Sequence, residues 1–364
     1  MEVIYLLDRC VISWVKDYLE NGIVADDKKE TIQFLKEIDR VGNIVSILPA
    51  IDESIFARKI RKEDKDRFIE SSQQDLDAIN SFFSNTKKEN VFLSDKRWTL
   101  EKYFDQIILD SYSVENQDLN LKVLLRVFEI YVENLNKKIT NFELIKIFVD
   151  EVVYKNKNYK KSGVLLFSLA FLANAGRDHP FSKLFLGRKF EKKMRESNNY
   201  IEKRAYNVLY DLTFLKYKHF MQAYGFKNEI NIITSDGALS EVLKFVIDFE
   251  GVCVGENKDF KEVKYKLELS PLVFKDLRPE ELDYAFDLSL RDDVLIFLDD
   301  KNRQIRVVKD DKENVIYVYH ELKKIGQVDS EKIGTHEFVA VDKDYNSELV
   351  IQAVLEYLII GLKK

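Results

Sequence analysis

The chain has 364 residues and a net charge of −6, and 46% of its residues are hydrophobic and 33% are charged. This length exceeds what one hydrophobic core usually supports, so we expect two or three structural units. The two cysteines, Cys10 and Cys253, exclude a disulfide scaffold and a cysteine-rich zinc site, and they indicate a reducing compartment. No stretch reaches the roughly 18 apolar residues of a membrane helix, and the N-terminus lacks a signal-peptide pattern. The sequence therefore predicts a cytoplasmic protein without membrane contact.

The chain begins with a predicted strand, Val3–Leu7, whose mostly apolar residues show no polar alternation. Such a run fits a parallel strand that is covered on both faces. Asp8 then follows the carboxyl end of this strand, at the edge of an α/β sheet where ligands bind. A charge at that position is costly unless a partner binds it. Considered alone, Asp8 is also explained as the N-cap of a helix that begins near Val11.

Helical spacing follows over about 13–20 and 28–39. The segment IVSILPAIDESIFARKI next predicts a short strand and a helix, with Pro49 in the first helical turn. Asp52 and Glu53 are predicted to lie at the N-terminus of this helix. Acidic side chains favour that position because of the helix dipole, which offers a purely structural explanation of Glu53.

The middle of the chain, from about Asp64 to Tyr210, is predicted to be helical because apolar residues recur every three or four positions. Within it, residues 155–218 contain fifteen Lys or Arg and only five Asp or Glu. Such a surplus is typical of a nucleic-acid surface, and a solvated helix face explains it about equally well. The candidate nucleic-acid contacts are Lys192, Lys193, Arg195, Lys203 and Arg204.

A second buried strand is predicted at Ile230–Thr234, and an aspartate, Asp236, again follows its end. Asp211 is predicted near the start of the helix that leads into this strand. Considered singly, Asp236 before Gly237 is explained as a turn residue, and Asp211 as a surface charge on a helix.

After about Gly255 the pattern changes to short strands, which predict an α+β unit without a recognisable site. The strand candidates are YKLEL, DVLIFL, QIRVV, NVIYVYHEL and HEFVAVD, and DDKNRQ and KDDKEN are predicted hairpin turns. The last segment predicts an amphipathic helix that is capped by Asn346 or Ser347.

The order of the acidic residues resembles the PIN-domain ribonuclease family. In that family the first strand ends in an Asp that small polar residues follow, a Glu lies on a later helix, an Asp begins the penultimate helix, and a T-S-D motif closes the next strand. The match covers about 1–65 and 200–255 of this chain. The matching residues are Asp8, Glu53, Asp211 and Asp236, the last preceded by Thr234 and Ser235.

The resemblance implies an α/β protein with a three-layer α/β/α, PIN-like parallel sheet, a large helical insertion and a C-terminal α+β unit. The corresponding bounds are 1–85 for the first half of the PIN-like domain, 86–200 for the insertion, 201–258 for the second half and 259–364 for the C-terminal unit.

The resemblance also implies a metal-dependent endoribonuclease that hydrolyses phosphodiester bonds in RNA or another single-stranded nucleic acid. Mg²⁺ and Mn²⁺, the implied cofactors, prefer oxygen ligands. Asp8, Asp211 and Asp236 are the expected metal ligands, and Glu53 is expected to bind the metal or to orient the water. Thr234 and Ser235 are expected to support these ligands.

Arg9 departs from the family pattern, because a small hydroxyl residue usually follows the first Asp. Either a supporting hydrogen bond is lost, or a cation is placed where it competes with the metal. One alternative is therefore a catalytically silent PIN-like module that binds RNA or protein within a larger complex. Another is a small-molecule or nucleotide-binding α/β protein, against which the lack of a Gly-rich loop counts. A protein partner or a second copy could bind through the insertion or the C-terminal unit.

Overall fold

The computed structural model describes residues 3–22, 25–57, 65–88, 100–109, 111–197, 199–223, 229–234, 236–254, 262–291, 294–298, 303–310, 313–329, 339–340 and 347–361. The chain forms two compact units. The first unit comprises Met1–Glu129 with Ser162–Val273, and the second comprises Ile130–Lys161 with Phe274–Lys364. The helical segment predicted as an insertion contributes residues to both units. Within the described ranges, no helix is long and apolar enough to cross a membrane.

The strands and helices have the following bounds. The strands are β1 (Val3–Leu7), β2 (Asn43–Ser46), β3 (Lys87–Lys88), β4 (Glu229–Ile233), β5 (Val246–Val254), β6 (Glu262–Leu269), β7 (Leu295–Leu298), β8 (Gln304–Asp310), β9 (Val315–His320), β10 (Lys323–Asp329) and β11 (Val339–Ala340). The helices are α1 (Arg9–Asn21), α2 (Asp26–Glu37), α3 (Leu48–Ala57), α4 (Lys65–Phe82), α5 (Leu100–Leu109), α6 (Ser111–Asn134), α7 (Asn141–Phe148), α8 (Leu165–Ala173), α9 (Pro180–Leu186), α10 (Phe190–Glu196), α11 (Tyr200–Ala223), α12 (Gly237–Leu243), α13 (Pro279–Leu290) and α14 (Ser347–Gly361).

The first unit is built on a four-stranded sheet in the order β3-β2-β1-β4. All of its strand pairs are parallel, and Leu7 of β1 lies opposite Ile233 of β4. Because β2 and β4 flank β1 on opposite sides, the strand order reverses at β1. The carboxyl ends of β1 and β4 therefore border the crevice where open α/β sheets bind ligands. This mixed α/β arrangement confirms the predicted parallel sheet and is compatible with three layers.

Both faces of this sheet are buried, which explains why β1 shows no polar alternation. On one face, Ile4 and Leu6 pack with Ile44 and Ile230. On the other face, Leu7 belongs to a larger cluster to which the neighbouring strands and the helices α1 to α5 contribute. The prediction of a doubly covered first strand is thus confirmed.

The second unit contains a five-stranded antiparallel sheet in the order β11-β10-β9-β8-β7. Helix α14 packs on one face, where Val350 and Ala353 join the alternating apolar residues of β8 and β9. The predicted hairpins are confirmed, since β7 pairs with β8 and β8 with β9. Ser347 is the first residue of α14, and Asn346 lies outside the described residues.

Three elements differ from the sequence predictions. Strand β5 was not among the strand candidates; α12 ends at Leu243 and β5 begins at Val246. The residues Val246 and Ile247 are β-branched, and they favour a strand where β6 offers a partner. The middle region is not wholly helical, because β3 pairs with β2. Strand β10 was missed because its sequence, KKIGQVD, is largely polar.

Candidate acidic site

Asp8 and Asp236 lie together at the carboxyl edge of the parallel sheet. The backbone N–H of Asp8 donates to the carbonyl oxygen of Ile233 at 3.0 Å, which continues the pairing of β1 and β4. The hydroxyl of Thr234 donates to Oδ2 of Asp8 at 2.6 Å and accepts from the backbone N–H of Asp236 at 2.9 Å. One side chain thus connects the two aspartates, as the pairing of their strands allows.

The side chain of Asp8 is not used as a helix cap, although the residue occupies the N-cap position of α1. Its Oδ2 atom instead accepts from the thiol of Cys10 at 3.0 Å and from Thr234. Helix capping therefore does not account for this carboxylate. The hydrogen bond that Arg9 was predicted to remove is supplied by the thiol and the threonine hydroxyl.

Asp236 does cap a helix. Its Oδ1 atom accepts from the backbone N–H groups of Ala238 at 2.7 Å and Leu239 at 3.1 Å at the start of α12. The sequence analysis explained Asp236 as a turn residue before Gly237, and the structure shows that its structural role is that of an N-cap. The cap also fixes the orientation of the carboxylate beside Asp8.

Glu53 lies in the middle of α3, because this helix begins at Leu48. The prediction that Asp52 and Glu53 lie at the helix N-terminus is therefore wrong, and the helix dipole does not explain them. The pKa of Glu53 is raised to about 7, mainly by burial and also by the charge of Asp8, while the charge of Arg9 acts in the opposite direction. Glu53 and Asp8 are therefore close enough for their charges to interact.

Asp211 was predicted near the start of its helix. This prediction is wrong, because Asp211 lies at the centre of α11. Helix α11 packs against α3 and β4, which brings this carboxylate to the same edge of the sheet. Burial raises the pKa of Asp211 well above its ordinary range, and the charges of Asp236, Asp8 and Glu53 raise it as well, whereas Arg204 lowers it. The four predicted carboxylates, from four separate segments, therefore form one electrostatically coupled group, which we call the acidic cluster.

Arg9 binds an acidic residue that the sequence analysis did not single out. Both the Arg9 guanidinium and the Lys16 ammonium form ion pairs with Asp75 of α4, whose side chain is 1% exposed. The two cations lie on α1, which packs against α4. Arg9 is thus directed to a helix–helix contact, and the predicted competition with a metal is not its main interaction. A lone Asp within an amphipathic helix gives no sequence signal of this role.

Tyr210, the residue before Asp211, was also not predicted. It is buried, and its hydroxyl has no hydrogen-bond partner among the described residues. Burial raises the pKa of this phenol, and the charges of Tyr206, Glu53 and Asp52 raise it further. The hydroxyl thus stays protonated and is available as a donor beside the acidic cluster. Its position in α11 equally fits an apolar helix stripe, so the sequence alone does not reveal it.

The acidic cluster has the donor chemistry of a magnesium or manganese site, because its members offer only carboxylate oxygens. The hydroxyl of Tyr210 shows that the described residues do not satisfy every polar group around this cluster. However, no three His, Cys, Asp or Glu side chains in the described part of the chain are grouped so that they could hold one metal ion. The donor chemistry fits such an ion, and the present spacing does not. Ser235 lies outside the described residues.

Four of the five basic residues that were predicted to contact nucleic acid are exposed to solvent. In α10, Lys192 pairs with Glu196 at 3.7 Å and Arg195 with Glu191 at 4.0 Å, and all four side chains are exposed. Lys193, which lies 5.9 Å from the ring of Tyr200, and Lys203 are also exposed.

Arg204 is half-buried, and its guanidinium binds the C-terminal end of a helix. Its Nε donates to the carbonyl oxygen of Phe185 at 2.8 Å, and its Nη2 donates to that of Leu184. These carbonyls belong to the last turn of α9, where a cation is favourable. Arg204 therefore stabilises the C-terminal end of α9 as a cap.

A scan of the chain against protein-family models finds no match. Comparisons with curated proteins and with solved structures likewise find no match. The resemblance to the PIN-domain family therefore depends on the residues of the chain itself.

Proposed function

We propose that the first unit is a PIN-like, metal-dependent endoribonuclease whose site is the acidic cluster. The observation that carries this proposal is geometric: Thr234 joins Asp8 and Asp236 at the carboxyl edge of a parallel sheet. Helices α3 and α11, which carry Glu53 and Asp211, pack against β1, β4 and each other, and the raised pKa values of these two carboxyls agree with this arrangement. Like charges that are brought together in a partly buried place are costly, and a cation between them removes the cost. The order of these residues along the chain is also that of the family.

A divalent cation in this cluster would supply an activated water and stabilise the charge that develops on a phosphodiester. Hydrogen bonds within the chain orient two of the carboxylates that would bind this cation. Thr234 and Cys10 fix the Oδ2 atom of Asp8, and the α12 cap fixes Asp236. Glu53, with a pKa of about 7, can hold or release a proton near neutral pH.

A second candidate function is a catalytically silent module that binds RNA or protein within a larger complex. One observation favours it: the described carboxylates do not form a group that could hold a metal ion as they stand. Exposed basic residues of α10 would serve either function, because phosphate contacts are made mainly by Lys and Arg.

The two candidates differ in cleavage of RNA. We expect the parent protein to cut single-stranded RNA in the presence of Mn²⁺, and Asp8→Asn to cut it roughly 100-fold or more slowly, with RNA affinity within a few fold. Asp105→Asn is the matched control, because Asp105 of α5 is partly exposed and forms an ion pair with Lys65 of α4. Gel assays of 5′-labelled RNA, with filter binding in parallel, measure both quantities. Binding without cleavage by the parent would favour the silent module, and equal cleavage by parent and Asp8→Asn would exclude the acidic cluster.

A further inference from the structure

The second unit contains a buried arginine, Arg306 of β8, whose side chain is only 1% exposed. None of its nitrogen atoms Nε, Nη1 and Nη2 has a hydrogen-bond partner in the part of the chain that the structure describes. A guanidinium carries five N–H donors. Buried donors without acceptors cost free energy, so nearly all such groups in proteins are satisfied. No described residue therefore supplies an acceptor to Arg306, and its donors are open to another molecule.

Two tyrosine rings approach the guanidinium. Its Cζ atom lies 4.3 Å from the ring centroid of Tyr319 and 5.3 Å from that of Tyr284. Such cation–π contacts stabilise the positive charge, but they do not take up the N–H groups at the edge of the guanidinium plane. The N–H groups at that edge could therefore donate hydrogen bonds to a ligand.

The nearest acidic side chain does not fill this role. Oδ2 of Asp287 lies 3.5 Å from Nε of Arg306, close enough for an ion pair but without a hydrogen bond. Asp287 is also shared with Arg291, at 3.7 Å. Burial lowers the pKa of Arg306, while the charges of Asp287 and Asp283 raise it. An arginine side chain stays charged in proteins, yet no described residue accepts a hydrogen bond from this guanidinium.

We propose that the second unit binds a small anion at Arg306, through a carboxylate or phosphate group. The planar guanidinium presents two parallel N–H groups that match two oxygens of either anion, a geometry in which the hydrogen bonds are charge-assisted and specific. This site is formed by β8, β9 and α13 and uses no residue of the acidic cluster. It is therefore independent of the nuclease proposal.

The test uses the full chain in chelator at constant pH and ionic strength, with inorganic phosphate and acetate as probes. Calorimetric titration and thermal unfolding should show that at least one of them binds the parent and raises its Tm. Arg306→Met should bind at least tenfold more weakly. Methionine is chosen because apolar replacements of buried ionic groups are commonly tolerated. Arg303→Met, at an exposed position on the same stretch of chain, should bind like the parent.

The stronger of the two probes identifies the ligand as phosphate-like or carboxylate-like. If Arg306→Met does not fold, Arg306→Lys replaces it, since lysine keeps the charge and lacks the two parallel donors; the same loss is expected. Failure of both anions to bind the parent would mean that water satisfies the guanidinium, and the proposal would be wrong. Equal binding by parent and variant would also overturn it.

Discussion

Replacing Asp75 by alanine is expected to lower the free energy of unfolding by about 2–4 kcal/mol. Asp75 is almost fully buried and is paired with Arg9 and Lys16, which are 24% and 28% exposed. Removing one partner of a buried ion pair is strongly destabilising because a buried charge loses its compensation. Here the two cations that remain can reach water in part, which places the effect toward the lower end of the usual range. Urea unfolding, followed by circular dichroism, measures it.

The matched control for this prediction is Asp105→Ala. Asp105 accepts from Lys65 at 2.7 Å, but its side chain is 42% exposed. Exposed ion pairs contribute roughly 0–1 kcal/mol, so this variant should unfold close to the parent. If the two alanine variants lose the same amount of stability, Asp75 does not join α1 to α4 in the way the structure indicates.

Replacing Glu53 by glutamine is expected to stabilise the protein at pH 8, by on the order of 1–3 kcal/mol, and to have little effect near pH 4. The pKa of Glu53 rises from an ordinary value of 4.5 to about 7 in the folded protein, and each pKa unit corresponds to about 1.4 kcal/mol. A carboxyl with a raised pKa contributes stability that is fully present below pH 4.5. That contribution is lost as the pH rises through 7. Glutamine carries no charge and avoids this loss.

Unfolding in urea at pH 4.5, 6 and 8, in chelator, tests this prediction. The difference between Glu53→Gln and the parent should grow between pH 4.5 and 8. Glu30→Gln, on the exposed face of α2, should show no such growth. A Glu53→Gln protein that is less stable than the parent at pH 8 would mean that the ionised carboxylate has a partner in the fold.

The sequence predicted the two aspartates at the sheet edge because each one follows a buried apolar strand. Parallel pairing of β1 with β4 then requires Asp8 and Asp236 to be neighbours. The candidate YKLEL was predicted correctly and lies in β6, whereas β5 and β10 were missed because these strands form only where partners are available, which local propensity does not reveal.

The positions of Glu53 and Asp211 were predicted in the right helices but at the wrong places in them. Helix ends are set by capping and by tertiary packing, and α11 begins earlier than its pattern indicates. Helix α3 begins at Leu48, as Pro49 in the first turn predicted, so Glu53 lies beyond that turn. The roles of Arg9 and Tyr210 were not predictable, because they depend on which helices pack together. Arg9 meets Asp75 only through the contact of α1 with α4.

The central claim is that Asp8, Glu53, Asp211 and Asp236 act as one cation-binding cluster, and calorimetric titration with Mn²⁺ tests it most directly. We expect the parent to bind Mn²⁺, and Asp8→Asn to bind it at least tenfold more weakly, because a carboxylate ligand is lost. Asp105→Asn should bind like the parent. If the parent takes up no Mn²⁺, or if Asp8→Asn binds as tightly as the parent, the acidic cluster is not a metal site and the nuclease proposal is wrong.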